Sequence, residues 1–253
     1  AERSEQRLRA VVEGRFLAPD APEYQEAMVE LGLLHRRSGR YEESIERLTA
    51  AIDLQPAFRE DLRVLFALAD ASRLSAAEIA DALQRRMPQS ELDRLRQLKE
   101  ERLLEALDLY DVVHGMIDGG DPARRSELDR VRLRNAMLYR GDCAFDLARH
   151  FENDAFLSER YYTEAIRHYA AAAQRYPDDP SSLVAMVQIV NCHAAMGRWQ
   201  EARTAHERAR ARLNELPEKA FDRGEIPMSR AHWENWLSTS IRLDQLSAAG
   251  SAR

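Results

Sequence analysis

The chain is poor in residues that cross-link a fold, span a membrane or carry a familiar chemistry. Its 253 residues include only two cysteines, Cys143 and Cys192, too few and too far apart for a disulfide framework. We expect both to pack as small buried hydrophobes. No stretch approaches the roughly 18 consecutive apolar residues of a membrane-spanning helix. HExxH, GxSxG and glycine-rich phosphate-loop motifs do not occur, so no common catalytic motif is available.

Strand patterns are also missing, and the composition favours helices. Hydrophobic residues make up 45% of the chain, with 10 glycines and 9 prolines, which is enough apolar material for a continuous helical core. The formal net charge is −6. Because binding to phosphate backbones needs a surplus of cations, this charge argues against a general nucleic-acid binder.

Residues 25–58 show small and large side chains at fixed helical spacing. Gly32 offers a small residue where two antiparallel helices would cross, Gly39 opens a turn, and Pro56 stops the second helix. The inner faces would carry Met28, Leu31, His35, Tyr41, Ser44, Leu48 and Ala51. This 34-residue pattern resembles a tetratricopeptide repeat. The resemblance implies a helical binding module rather than an enzyme.

The same spacing recurs further along the chain. Residues 183–216 match well, although Val190 stands where the family usually has glycine, and a third match is split between residues 137–144 and 162–177. The extra residues, 148–160, are expected to lengthen this third hairpin or to form a protruding loop. The expected fold is therefore all-α: a tetratricopeptide-like, right-handed α-solenoid of antiparallel helix pairs, with two longer central helices and a C-terminal capping helix.

These patterns divide the chain into six predicted segments. They are the second helix of a truncated preceding repeat (1–19), a repeat (20–58), a degenerate helical hairpin (59–88), long helices with an interrupted repeat (89–180), a repeat (181–217), and a capping helix with a tail (218–253). Because no first helix precedes residues 1–19, we expect the chain to be part of a longer protein.

Two of these segments carry specific expectations. In the hairpin, one helix would cover residues 61–73, and a capping box at Ser75 would open another that Pro88 ends. The capping helix would run from Met228 to Leu246. Its apolar side would consist of Trp233, Trp236, Leu237, Ile241 and Leu243.

The concave surface of such a solenoid, lined by the first helices, is the expected partner-binding groove. Its predicted residues are Glu26, Val29, Glu30, Leu33, Arg37, Val184, Val187, Gln188 and Asn191. Of the lysine and asparagine that clamp a terminal carboxylate in related repeats, only Asn191 is present, so such a clamp is not expected. The apolar members favour an amphipathic helix or an extended segment of a protein partner. Alternatively, they pack against the next repeat.

Two other classes of function stay open as alternatives. Asp111 with His114, and Glu164 with His168, have the spacing of metal-ligand pairs and would suit a metal protein or enzyme on the long central helices. A second alternative is a regulatory, nucleic-acid-associated module that uses clustered arginines. These arginines are Arg124, Arg125, Arg130, Arg132, Arg134 and Arg140, with Arg203, Arg208, Arg210 and Arg212 in a second group. Our main interpretation includes no cofactor, metal or nucleic acid.

Residues 161–186 carry a more specific resemblance. The core Tyr-x-x-Ala-Ile-x-x-Tyr followed by RYPDDP is similar to repeats of bacterial envelope proteins that assist outer-membrane assembly or coordinate cell division. That resemblance implies a periplasmic scaffold, although related repeats also occur in cytoplasmic proteins. Neither the partner nor the oligomeric state follows from the sequence.

Overall fold

The chain folds into helices in a computed structural model that describes residues 2–14, 17–223 and 228–239. No strand occurs within these ranges, so the all-α prediction is confirmed. The helices are α1 (Glu2–Glu13), α2 (Pro22–Arg37), α3 (Tyr41–Leu54), α4 (Leu62–Ala82), α5 (Gln89–Asp118), α6 (Glu127–His150), α7 (Ala155–Arg175), α8 (Ser181–Ala195), α9 (Trp199–Glu215) and α10 (Arg230–Thr239). Short 3-10 turns cover Pro56–Glu60, Pro122–Arg124 and Glu218–Arg223.

The chain divides into two compact units, residues 1–136 and 137–253. The first, unit 1, contains α1 to α5 and the beginning of α6. Unit 2 contains the rest of α6 and α7 to α10. Within each unit, most consecutive helices pack as neighbours. Neighbours joined by a short turn, such as α2 and α3, α7 and α8, or α8 and α9, are antiparallel.

A very close helix crossing holds the α2–α3 pair together. A Cβ atom on Gly32 would lie only 2.7 Å from Cγ of Leu48, a residue that is completely buried. The Ser44 hydroxyl donates a hydrogen bond of 2.8 Å to the Gly32 carbonyl oxygen across the same crossing. Gly39 turns the chain between the helices with a positive φ of 74°, a conformation that favours glycine. The predicted roles of both glycines are confirmed.

The hairpin predicted for residues 59–88 is wrong, because α4 is one helix from Leu62 to Ala82. Asp61 caps its first turn by accepting from the backbone N–H of Arg63 at 2.7 Å. Ser75 opens no second helix, since its buried hydroxyl donates to the Glu42 carboxylate on α3. The partner of α4 is instead the long helix α5.

In unit 2 the crossing of α6 and α7 repeats the arrangement around Gly32. A Cβ on Gly141 would fall 2.5 Å from the buried ring of Tyr169, whose hydroxyl donates to Asp142 at 2.6 Å. The extra residues noted in the sequence mostly lengthen these two helices, to 24 and 21 residues. A short connection between them replaces the alternative of a protruding loop.

Helix α10 packs against α9 at the other end of unit 2. Trp233 and Leu237 are buried in one cluster with residues of α8 and α9, and Trp236 packs against that cluster. Arg230 donates a hydrogen bond of 2.7 Å to the Leu216 carbonyl oxygen. The predicted helix positions Ile241 and Leu243, and its end at Leu246, lie outside the described residues.

Replacing Gly32 by alanine should lower the free energy of unfolding by about 1–3 kcal/mol, because the added Cβ overlaps the buried Leu48 side chain. Gly115→Ala on α5 is the matched control, since a Cβ there meets no atom within 4 Å. It should stabilise the protein by roughly 0.5–1 kcal/mol, because alanine is the better helix former. Urea unfolding followed by circular dichroism measures both changes, and equal effects would contradict the close crossing.

Candidate functional site

Unit 1 contains a cleft of about 390 Å³ between α2, α4 and the first turns of α6, which we name the α2–α4–α6 cleft. It is lined by Glu30, Leu33, Arg36 and Arg37 of α2, Arg63, Phe66 and Ala67 of α4, and Leu128, Val131, Arg132 and Asn135 of α6. Capping fixes where two of these helices begin. Asp61 caps α4, and the Ser126 hydroxyl accepts from the Asp129 N–H at 3.1 Å at the start of α6.

The apolar part of the cleft runs from a buried floor to an exposed edge. Leu33 and Ala67 are buried, and the half-buried Phe66 ring is fixed edge-on against Tyr110, with centroids 5.7 Å apart. Leu128 keeps 56% of its surface exposed, which is unusual for a leucine near an apolar floor. An apolar group entering the cleft would cover it.

Arg63 connects the α2 wall to the α4 wall. Its Nη1 lies 2.8 Å from Glu26 and 3.0 Å from Glu30, and its Nη2 lies 3.2 Å from Asp61. The hydrogen bond to Glu26, followed by the one to Asp61, raises the pKa of Arg63 above its ordinary value. The three carboxylates thus hold this guanidinium in place, with its charge compensated.

A buried carboxylate fixes the arginines deeper in the cleft. Asp70 is only 7% exposed and accepts from Nη1 of Arg36 at 2.6 Å and Nη2 of Arg73 at 3.0 Å. The Tyr110 hydroxyl donates to the same carboxylate at 3.4 Å. On α6, Arg132 pairs with Asp129 at 3.1 Å. Arg36 and Arg132 therefore already have acidic partners.

Arg37 and Asn135 are two polar lining residues with unused bonding capacity, and the Nε of Arg36 also makes no hydrogen bond within the described ranges. Arg37 is exposed, and its Nε donates to the Leu33 carbonyl oxygen at 3.3 Å. Its terminal nitrogens have no acidic partner among the described residues. The half-buried Asn135 amide likewise makes no hydrogen bond within the described ranges. As far as the structure describes the chain, the cleft thus presents the terminal nitrogens of Arg37 and the Asn135 amide beside an apolar surface.

The predicted groove residues of α2 divide between this cleft and the protein core. Glu30, Leu33 and Arg37 line the cleft, and Glu26 supports it through Arg63. The placement of Val29 on the open surface is wrong, since it is completely buried in the core of unit 1. Its burial agrees with the alternative interpretation, in which the apolar residues of the predicted groove pack inside the protein.

The predicted groove residues of α8 lie in unit 2 and do not line the α2–α4–α6 cleft. Val187 is 8% exposed and shares a core cluster with Trp233, and Val184 packs against that cluster. Gln188 and Asn191 are half-buried and bond to each other at 2.8 Å. Val187 therefore offers almost no open surface, contrary to expectation.

Sequence reasoning missed the cleft residues of α4 and α6. Residues 57–87 contain neither glycine nor proline, a signal for one continuous helix that would have made α4 a second wall beside α2. The capping-box pattern at Ser75 instead predicts a helix start that the structure does not have.

The residues behind the two alternative functions are placed as follows. Glu164 and His168 form a pair, 3.6 Å apart, while Asp111 is exposed and His114 half-buried. Among the described residues, no three His, Cys, Asp or Glu side chains come together in a metal-binding arrangement. Of the arginine cluster, Arg125 donates to the carbonyl oxygens of Ile117 and Asp118 at the end of α5.

Several other arginines of that cluster are paired locally. Arg124, Arg130 and Arg132 bond to acidic residues three positions earlier, and Arg134 is buried. These pairs compensate part of the charge of the cluster. In the described ranges, none of the helices combines the length and apolarity needed to cross a membrane.

Comparison with protein families supports the helix-pair assignment. A family model described as "Tetratricopeptide repeat" matches residues 27–60, which contain most of α2, all of α3 and the following 3-10 turn. Within each unit, the packing of neighbouring helices in pairs is that of a tetratricopeptide-like α-solenoid. The right-handed twist stays a prediction. A search of curated proteins finds no match.

Replacing Asp70 by asparagine should destabilise the protein by about 2 kcal/mol, because two partly buried arginines lose their shared charged partner. Asp81→Asn, at an exposed position of the same helix, should change stability by less than about 0.5 kcal/mol. Urea unfolding of the two variants gives the comparison. Equal stability of both would show that Asp70 does not hold the arginines of the cleft.

Proposed function

We propose that this chain is a non-catalytic interaction module that binds a protein or peptide partner in the α2–α4–α6 cleft. The observation that carries the proposal is that the terminal nitrogens of Arg37 and the Asn135 amide, beside the apolar floor, have no partner among the described residues. Tetratricopeptide repeats generally mediate protein–protein interaction. The family match at residues 27–60 includes the helix that forms one wall of the cleft.

The unused groups match the chemistry of a polypeptide. An asparagine side chain donates and accepts hydrogen bonds through one planar amide, so it can pair with a backbone peptide group. Arg37 can form a charge-assisted hydrogen bond with a carboxylate. Phe66, Leu128 and Val131 offer a surface for one apolar side chain. The partner segment would thus combine an apolar anchor with a nearby acidic residue.

The composition of the cleft supports binding rather than catalysis. Its lining contains no histidine, cysteine, serine, threonine or tyrosine, the residues that most often act as nucleophile or general base. The one acidic lining residue, Glu30, is paired with Arg63 at 3.0 Å. A neutralised carboxylate of this kind suits a structural role.

The setting of the interaction belongs to the same proposal. The similarity of residues 161–186 to repeats of bacterial envelope proteins supports a periplasmic scaffold that brings a partner to an envelope assembly. Capture of periplasmic or envelope proteins in the experiment below would agree with a periplasmic setting. Capture of cytosolic proteins alone would contradict that setting.

Arg37→Glu should weaken binding of the partner by about tenfold or more, because a carboxylate in the partner would then meet a like charge. Leu128→Glu should do the same by placing a charge on the apolar edge. Crosslinking and affinity capture from the source cells, with quantitative mass spectrometry, would identify the partner and compare the variants. The captured partner's affinity would then be measured by calorimetry.

Arg85→Glu is the matched control, since Arg85 is exposed just beyond α4 and does not line the cleft. Val29→Glu would be a poor probe, because a charge at that buried position would unfold the protein. A partner that binds the wild type and all three surface variants equally would overturn the proposed site. Capture of substrate-like small molecules without any polypeptide partner would overturn the proposed function.

A further inference from the structure

Unit 2 has a second groove, which lies between α7 and α9 with α8 beneath it and which the proposed function does not use. Its volume is about 620 Å³, within the range typical of ligand-binding pockets. The apolar lining consists of Ile166, Ala170, Ala173, Met186, Ile189 and Ala205. We name it the α7–α9 groove.

Glu201 and the lining arginines lie at opposite ends of this groove. Because α7 and α9 both run antiparallel to α8, they share one direction. His193 and Glu201 are near the end where α9 begins, whereas Arg208 and Arg212 lie towards its C-terminal end. Glu201 therefore places a carboxylate at one end of the groove, and Arg208 and Arg212 place guanidinium groups at the other.

Several polar atoms at these ends lack partners. Arg208 is exposed and has no acidic partner in the described part of the chain. Arg212 pairs with Glu215 through Nη1 at 2.9 Å, but its Nε is buried without a hydrogen bond, as is Nδ1 of His193. Burial lowers the pKa of His193. Arg208 therefore keeps its hydrogen-bonding capacity for a bound partner.

The apolar middle of the groove restricts what can occupy it. Thr204 is the polar lining residue there, and its hydroxyl already donates to the Gln200 carbonyl oxygen at 3.1 Å. An extended peptide would leave its backbone N–H and C=O groups without partners over this surface, at a cost in free energy. A helix satisfies those groups internally. Its apolar face could cover the alanines and isoleucines directly.

We propose that the α7–α9 groove binds an amphipathic helix of a partner protein, with its C-terminal turn at Arg208 and Arg212 and its first turn at Glu201. The unpaired carbonyl groups at a helix C-terminus accept hydrogen bonds and carry partial negative charge, which complements the arginines. The free N–H groups of the first turn complement Glu201. From Glu201 to Arg212 the groove extends roughly 17 Å, about three helical turns.

A displayed library of 14-residue helical peptides, selected against the whole chain, tests this directly. The library would keep helix-forming residues on one face and randomise the opposite face and both terminal turns. We expect enriched peptides to carry apolar residues along one face and Asp or Glu in the last turn. Acidic residues enriched only in the first turn would overturn the proposed direction, and no enrichment would overturn the site.

Matched variants locate the binding surface. Ala170→Glu and Arg208→Glu should weaken the enriched peptides by at least about tenfold, whereas Ala171→Glu and Arg210→Glu should leave binding within about twofold. All four positions are exposed, and only the first two line the groove. Thermal unfolding would confirm that each variant folds.

Other occupants give different results. A dimer in size-exclusion chromatography that Ala170→Glu dissociates would show that a second copy of the chain fills the groove, contrary to our proposal. Equal peptide binding by Ala170→Glu and Ala171→Glu would place the helix elsewhere. Because Arg37 lies in unit 1, Arg37→Glu should not change the binding of these peptides. A negative result for the α7–α9 groove can therefore be distinguished from a negative result for partner binding in the α2–α4–α6 cleft.

Discussion

The close crossing of paired helices is the constraint on which the rest of this structure depends. At Gly32 and Gly141, an added Cβ would overlap Leu48 or the Tyr169 ring. The side chains facing each glycine are completely buried, so they have little room to move. These crossings fix the rotation of α2 and α6 about their axes. That rotation decides which residues of α2 enter the core, such as Val29, and which line the cleft, such as Arg37.

Charge compensation then determines what the cleft can bind. Asp70, Glu26 and Glu30 hold Arg36 and Arg63 in ion pairs. Because their charges are compensated, these two arginines mainly form the walls of the cleft and contribute little uncompensated positive charge. A buried pair of this kind adds little net stability, but removing one partner is costly. Arg37 and Asn135 keep their bonding capacity. Because they lie beside an apolar floor, the cleft is suited to a segment that offers an acid, a peptide group and an apolar side chain together.

Local sequence signals predicted the α2–α3 pair well, since Gly32, Gly39 and Pro56 each act within one or two turns of the chain. They failed at α4, where the Ser75 hydroxyl bonds to Glu42 on another helix, a tertiary contact that a capping pattern cannot reveal. Burial of Val29 and Val187 depends on the neighbouring helices in the same way. The sequence therefore predicted the α2 wall of the cleft, but not its α4 and α6 walls, and it did not indicate the α7–α9 groove.

Site-specific photo-crosslinking would test the central claim most directly. A photoreactive phenylalanine analogue would replace Leu128, at the exposed edge of the cleft, or Phe156, which is 78% exposed on α7 and outside the cleft. The protein would be irradiated in its source cells, and crosslinked peptides would be sequenced by mass spectrometry. Our account predicts a crosslink from position 128 to one polypeptide segment beside an acidic residue, with none to that segment from position 156. Crosslinks to the same partner from position 156 alone, or equally from both positions, would contradict it.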